Sequence, residues 1–409
     1  MASIFEHFKK TQEESVDKIV SQTAHAEKVD ELVSGKSFVS NSKSPSFFSR
    51  FNNKKILIIA ATVFTALALV AGFYLFGNAE NGDFLKPIVN LKGVSDKVQN
   101  PITGELFSSA EAAAWKDVRP LGVMINNHTD ARPQVGLIKA DLVYEMVAEG
   151  GITRFLAFFN IKIPEKVGPI RSAREYYLVL VKELGDAMLM HIGWSPQALV
   201  AIESWPVRSL GRGAAPFYRE NPRNVAIEHT AYADGRELLK RGMELGWNGT
   251  TGFTLWKFKN DLDGYTSFDL ASSIAVDFWY PGDYSAIWKY DKEKNVYERY
   301  MGYDSAGVPI PHVDDVTKEQ ITVKNLIVQF ATEKSVVGDE KGRLDYTLEG
   351  TNSALVFLDG KVIPATWTKE GREKRTMFYD MNGEEIKFNR GKLWIAIVPD
   401  RNVDQVKYE

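Results

Sequence analysis

Twenty-one consecutive residues, Ile56 to Phe76 (ILIIAATVFTALALVAGFYLF), carry no charge. As a helix rising about 1.5 Å per residue the run reaches roughly 30 Å, one hydrocarbon thickness. Its polar positions, Thr62 and Thr65, make no polar stripe, so the run predicts a single transmembrane helix rather than a buried core helix. Lys43, Arg50, Lys54 and Lys55 precede it, while Glu80 and Asp83 follow. A basic flank stays on the cytoplasmic side, which places the N-terminus inside and the bulk of the chain outside the cell membrane. The leader is too long for the n-region of a cleaved signal peptide, although Gly77-Asn78-Ala79 offers small residues at a possible cleavage site, so an uncleaved signal anchor is expected.

With the membrane run set aside, composition narrows the function. Residues 77–409 hold 41 Lys+Arg against 46 Asp+Glu, a mildly acidic balance that argues against nonspecific nucleic-acid binding. The chain has no cysteine, which excludes disulfides, thiol nucleophiles, iron-sulfur clusters and an acylated-cysteine anchor. No G-x-S-x-G elbow, phosphate loop, dinucleotide fingerprint or H-E-x-x-H occurs, so no cofactor and no metal site is expected.

The 409 residues divide into a cytoplasmic tail (1–55), the membrane helix (56–76), a turn-rich linker (77–116), an α/β layered domain (117–264) and a mostly β C-terminal domain (265–409). In the first domain the apolar runs 121–125, 152–159 and 187–192 predict strands, and helices are expected at Ala173–Leu184, after Ser195-Pro196, and at about Ala231–Leu245. Ser172 and Glu175 have capping-box spacing. In the second, apolar runs at 286–290, 320–330, 354–358, 376–378 and 393–398 are separated by Asp359-Gly360, Asn382-Gly383 and Arg390-Gly391, which are turn signals.

Two polar groupings could carry chemistry. Arg171-Ser172-Ala173-Arg174 meets the start of a predicted helix, where free N–H groups and the dipole favour anions, and Arg154 could add a third guanidinium. The same arginines could instead pair with Glu145, Glu149 and Glu175. The second grouping is the loop Asn126-Asn127-His128 to Gln134, at a strand's C-terminal end where open sheets place ligands. Glu145, Glu149, His128 and His191 are the candidates for acid-base work. In the second domain Trp367, Lys369, Arg372 and Arg375 read as solvated hairpin residues.

The strings RPLGVMINNH (119–128), ARPQVGLIKADLVYEMVAEGGITRFLAFF (131–159), VGPIRSARE (167–175), DGKVIPATW (359–367) and NRGKLWIAIVP (389–399) resemble the YerB-like family of exported bacterial envelope proteins of unknown function. The resemblance implies an N-terminal α/β and a C-terminal β-rich domain outside the membrane. Members are commonly lipoproteins, whereas this chain has no cysteine to acylate. The function expected is binding of an anionic cell-wall glycan or lipid-linked sugar through Arg154, Arg171 and Arg174; the alternative is a wall-active enzyme, a glycan hydrolase or phosphosugar transferase.

Overall fold

The computed structural model describes residues 97–249 and 252–409. The predicted tail and membrane helix lie outside them, and no helix among the described residues is long and apolar enough to cross a membrane.

The N-terminal half supplies strands β1 (Leu121–Asn126), β2 (Leu142–Glu149), β3 (Ile152–Phe159) and β4 (Met188–Met190), and helices α1 (Glu175–Lys182), α2 (Pro196–Ser204) and α3 (Gly235–Glu244). The C-terminal half supplies β5 (Ser273–Val276), β6 (Ala286–Asp291), β7 (Val296–Tyr303), β8 (Pro309–Pro311), β9 (Asn325–Ser335), β10 (Leu344–Thr347), β11 (Gly350–Leu358), β12 (Lys361–Lys369), β13 (Met377–Asp380), β14 (Leu393–Pro399) and β15 (Val406–Tyr408). The described residues are largely β with few helices: the C-terminal half is mostly β, as expected, and the N-terminal half combines its strands with helices α1 to α3.

The two halves share one sheet. Its order is β13-β12-β11-β9-β14-β2-β3-β1-β4, with β10 beside β9. The seam is parallel: Leu393 to Ala396 of β14 stand opposite Leu142 to Glu145 of β2. Strands buried on both faces are near-continuous apolar runs, which is how β2, β3 and β14 read (LVYEMVAE, ITRFLAFF, LWIAIVP). A second sheet, β8-β7-β6-β5-β15, lies against the first. Trp288 of β6 meets Trp394 of β14 edge to face at 5.3 Å.

Helix α1 covers the β2–β3 region, with residues 176–182 buried; the Tyr177 hydroxyl donates to the Arg154 carbonyl at 2.9 Å. It starts later than expected, because Arg174 and not Ser172 occupies the N-cap position and no side chain caps it. Ser195 does cap α2, accepting from the Ala198 amide, with Pro196 in the first turn. Asp359-Gly360 forms the β11–β12 turn with φ +55° and +71°, the signature of a two-residue hairpin.

Two expectations are corrected by packing. Residues 97–116 are no loose linker: Ile102 and Trp115 are buried, and the Asn100 amide donates to Asn160 Oδ1 at 2.8 Å. Trp367, Lys369 and Arg375 are buried rather than solvated. Glu183 beyond α1 explains this, because it accepts from Lys369 Nζ (3.1 Å), Arg375 Nη1 (3.4 Å) and the Thr376 hydroxyl (2.8 Å), so one buried carboxylate holds two buried cations.

Candidate functional site

Strand β1 ends at Asn126, and the chain turns sharply at Thr129–Ala131 under a side-chain cap in which His128 Nδ1 accepts from the Asp130 amide at 3.2 Å. Residues 169–171 run alongside, held by the Asn126 amide on the Pro169 carbonyl (2.8 Å) and the Arg171 amide on the Met124 carbonyl (2.9 Å). The turn Ile227–His229 closes the third side. Asn126 organises the group: its Oδ1 accepts from the His128 amide at 3.0 Å, and its Nδ2 donates to His229 Nδ1 at 2.7 Å.

The result is a compact polar cluster. The imidazoles of His128 and His229 stack at 4.5 Å with 19° between planes. Arg171, about one quarter exposed, lies 4.0 Å from Glu228. Burial, then the neighbouring His128 and Arg171, push His229 below the ordinary histidine value, so its ring stays neutral. His128, Asp130 and His229 also bring one potential metal-ligand atom each to within 4.8 Å of one another, an arrangement that no short spacing in the sequence announces.

The remaining expected residues go elsewhere. Arg154 and Arg174 both bind Glu149: Arg154 Nη2 donates at 2.9 Å, and Arg174 Nη2 donates to both carboxylate oxygens at 2.8 and 2.9 Å. Burial would raise Glu149, but the two guanidiniums outweigh it and hold the carboxyl below its ordinary value. Arg154 Nη1 donates to the Ser172 carbonyl at 2.7 Å, so Ser172 takes part through its backbone. Of the three arginines expected around an anion, two are therefore committed to a carboxylate.

Glu145 and Asn127 are fully buried in a closed ring of hydrogen bonds. Glu145 accepts from Arg299 Nη2 (2.8 and 2.9 Å), from Trp394 Nε1 (3.0 Å) and from the Thr153 hydroxyl (2.9 Å). Asn127 Nδ2 donates to Thr153, Gln134 Nε2 donates to Asn127 Oδ1, His312 Nε2 meets Gln134 Oε1 at 2.9 Å, and Arg299 Nη1 reaches His312 Nδ1 to close the circuit. Arg299 is also sandwiched among Phe155, Trp288 and Trp394. No sequence spacing pointed to Arg299 or to Glu145 as its partner; the pair is 154 residues apart. His191 is separate again, bound to the Gly193 carbonyl and Ser209, with burial pushing it down to about 4.

Comparison with known proteins bears on this arrangement. Residues 102–248 match the N-terminal domain of the family described as "Protein of unknown function (DUF3048)", and residues 274–395 match its C-terminal domain. The chain is 32% identical over 349 residues to "Putative lipoprotein YerB" of Bacillus subtilis (strain 168), covering 82% of this chain and 95% of the relative. The chain belongs to the DUF3048 family. A crystal structure of YerB from Bacillus subtilis superposes with a TM-score of 0.64 at 30% identity, covering 76% of this chain and all of that one. Every residue of the Asn126–His229 cluster falls within the family's N-terminal domain, whereas the Glu145–Arg299 pair joins one DUF3048 domain to the other.

Proposed function

We propose that this DUF3048 protein works outside the membrane, on the cell envelope, and binds an anionic envelope glycan or its lipid-linked precursor at the Arg171–His128–His229 cluster. Its likeness to a relative named as a lipoprotein supports the location, as does the apolar run Ile56–Phe76 with its basic flank. The observation that carries the binding reading is the position of Arg171. Unlike Arg154 and Arg174, which share the half-buried Glu149, it faces only the exposed Glu228 at 4.0 Å, and it stands at a strand's C-terminal end beside two stacked imidazoles. A guanidinium suits phosphate or carboxylate, and the exposed carboxylates of Asp130 and Glu228 are acceptors for sugar hydroxyls.

Calorimetric titration of the full chain in lipid nanodiscs with a purified phosphate-bearing wall polymer tests the proposal. Arg171→Ala should weaken binding at least about tenfold, the loss of roughly 1.4 kcal/mol. Equal affinity in the two proteins would remove the reading. A second reading, a divalent metal held by His128, Asp130 and His229, is favoured by the 4.8 Å convergence of their ligand atoms, although Arg171 nearby opposes a cation. Zinc titration of the wild type and of His229→Ala separates the two. The wall-active enzyme built on Glu145 or Glu149 with His191 gains no support: the carboxylates are held by arginines, and the imidazole has other partners.

A further inference from the structure

The strands place a serine against a histidine away from that cluster. His191 directly follows β4, and the stretch 207–210 runs beside it, registered by the Leu189 amide on the Arg208 carbonyl (2.9 Å) and the Leu210 amide on the Leu189 carbonyl (2.8 Å). His191 Nδ1 lies 2.8 Å from the Gly193 carbonyl oxygen. A carbonyl can only accept, so Nδ1 carries the proton and Nε2 keeps its lone pair. Ser209 Oγ lies 2.8 Å from that Nε2 and donates to it.

This is the relation a nucleophilic hydroxyl requires: a neutral imidazole as base, oriented from behind by an acceptor, here a backbone carbonyl. A histidine that merely satisfies itself in a core needs no solvent-facing partner. Ser209 lines a cavity of about 470 Å³ that opens to solvent, together with Val207, Gly211, Arg212, Gly213 and Trp247. The amides of Gly211, Arg212 and Gly213 have no hydrogen-bond acceptor among the described residues. These residues line the same cavity as Ser209, and backbone amides without an internal acceptor can serve the oxyanion of an acyl-transfer intermediate. Gly211 has no room for a side chain, because a Cβ there would stand 2.6 Å from the His191 carbonyl oxygen and 2.7 Å from His191 Nε2 and Cε1.

We propose that Ser209 and His191 form a nucleophile–base dyad that cleaves a carboxylic ester whose acyl group fits the cavity wall made by Ile202, Val207 and Trp247. Ser209 Oγ attacks the ester carbonyl carbon while its proton passes to His191 Nε2. The oxyanion collapses, the bond to the alkoxy oxygen breaks, and the alcohol leaves with that proton. Water then attacks the acyl-serine, giving one proton to Nε2 and onward to Ser209 Oγ, and the carboxylic acid is released. This site is independent of the glycan-binding proposal and survives its failure.

The test treats the full chain in detergent micelles with a fluorophosphonate probe and locates the adduct by peptide mass spectrometry, with p-nitrophenyl acetate hydrolysis as a second readout. The expected result is labelling at Ser209, none at that peptide in Ser209→Ala, and labelling slowed at least about 100-fold in His191→Gln. Circular dichroism checks that the variants fold. If His191→Gln does not fold, Gly211→Ala serves, since its methyl displaces the imidazole from Ser209, and it should slow labelling as well. No adduct at Ser209 in folded wild type, or labelling that is as fast in the folded His191→Gln or Gly211→Ala protein, overturns the proposal.

Discussion

Replacing Glu145 with Gln tests whether the two DUF3048 domains melt as one body. The carboxylate is fully buried and is the partner of Arg299, which is fully buried too and has an Nε without any acceptor. Gln keeps the shape and one acceptor oxygen but leaves a guanidinium uncompensated at the seam between β2 and β14. Breaking one side of a buried pair costs about 3–5 kcal/mol. At about 2–4 °C per kcal/mol for large domains, the melting temperature should fall by roughly 6–20 °C. Replacing both partners with Met removes the stranded charge, so Glu145→Met with Arg299→Met should cost less than the sum of the single changes. Differential scanning calorimetry with near-ultraviolet circular dichroism measures both effects, and a single coincident transition is expected because β14 completes the N-terminal half of the sheet. A loss under about 1 kcal/mol, additive single changes, or two separate melts would contradict a single cooperative body joined through Glu145 and Arg299.

Three further outcomes follow from particular residues. Asp141 accepts from the amides of Asn160 and Ile161, yet burial raises its pKa from the ordinary 3.8 to about 7. A raised carboxyl pKa means the folded state prefers the protonated form, so this stability is full below pH 4 and is lost as pH rises through 7. Asp141→Asn should therefore gain on the wild type by up to about 4 kcal/mol between pH 4 and pH 7.5, read by urea unfolding across that range; a constant difference would contradict it. Gly360→Ala should cost about 1–3 kcal/mol, because φ is +71° and a Cβ would stand 2.5 Å from the Tyr290 ring; thermal melts decide. Glu149→Ala strands Arg154 and Arg174 and should destabilise by about 3 kcal/mol or more, and unchanged stability in chemical denaturation would show that the arginines find solvent instead.

Local signals were legible, and pairings across the chain were not. Ile152–Phe159 forms a strand at its expected bounds because its apolar run ends in a turn on either side. Asp359-Gly360 and Ser195-Pro196 do what their backbone chemistry requires. By contrast Leu142–Glu149 was not among the expected strands, since Glu145 and Glu149 break the apolar run and their arginine partners cannot be seen from spacing. Lys369 and Arg375 read as surface residues for the same reason: a buried cation is recognisable only through its anion, and Glu183 lies about half the chain away. Within the candidate site, Asn126, His128 and Arg171 were visible as a polar strand end and a helix approach, but His229 arrives from 103 residues beyond Asn126 and only the fold stacks it on His128.

The claim on which the functional account rests is that ligand meets this chain at the end of β1, beside His128 and His229. Histidine side-chain resonances, followed by NMR while a phosphate-bearing envelope sugar is added to the full chain in nanodiscs, address it residue by residue. Shifts are expected at His128 and His229, abolished by Arg171→Ala, with His312 silent inside its buried ring. Saturable binding that leaves both His128 and His229 unmoved would contradict it.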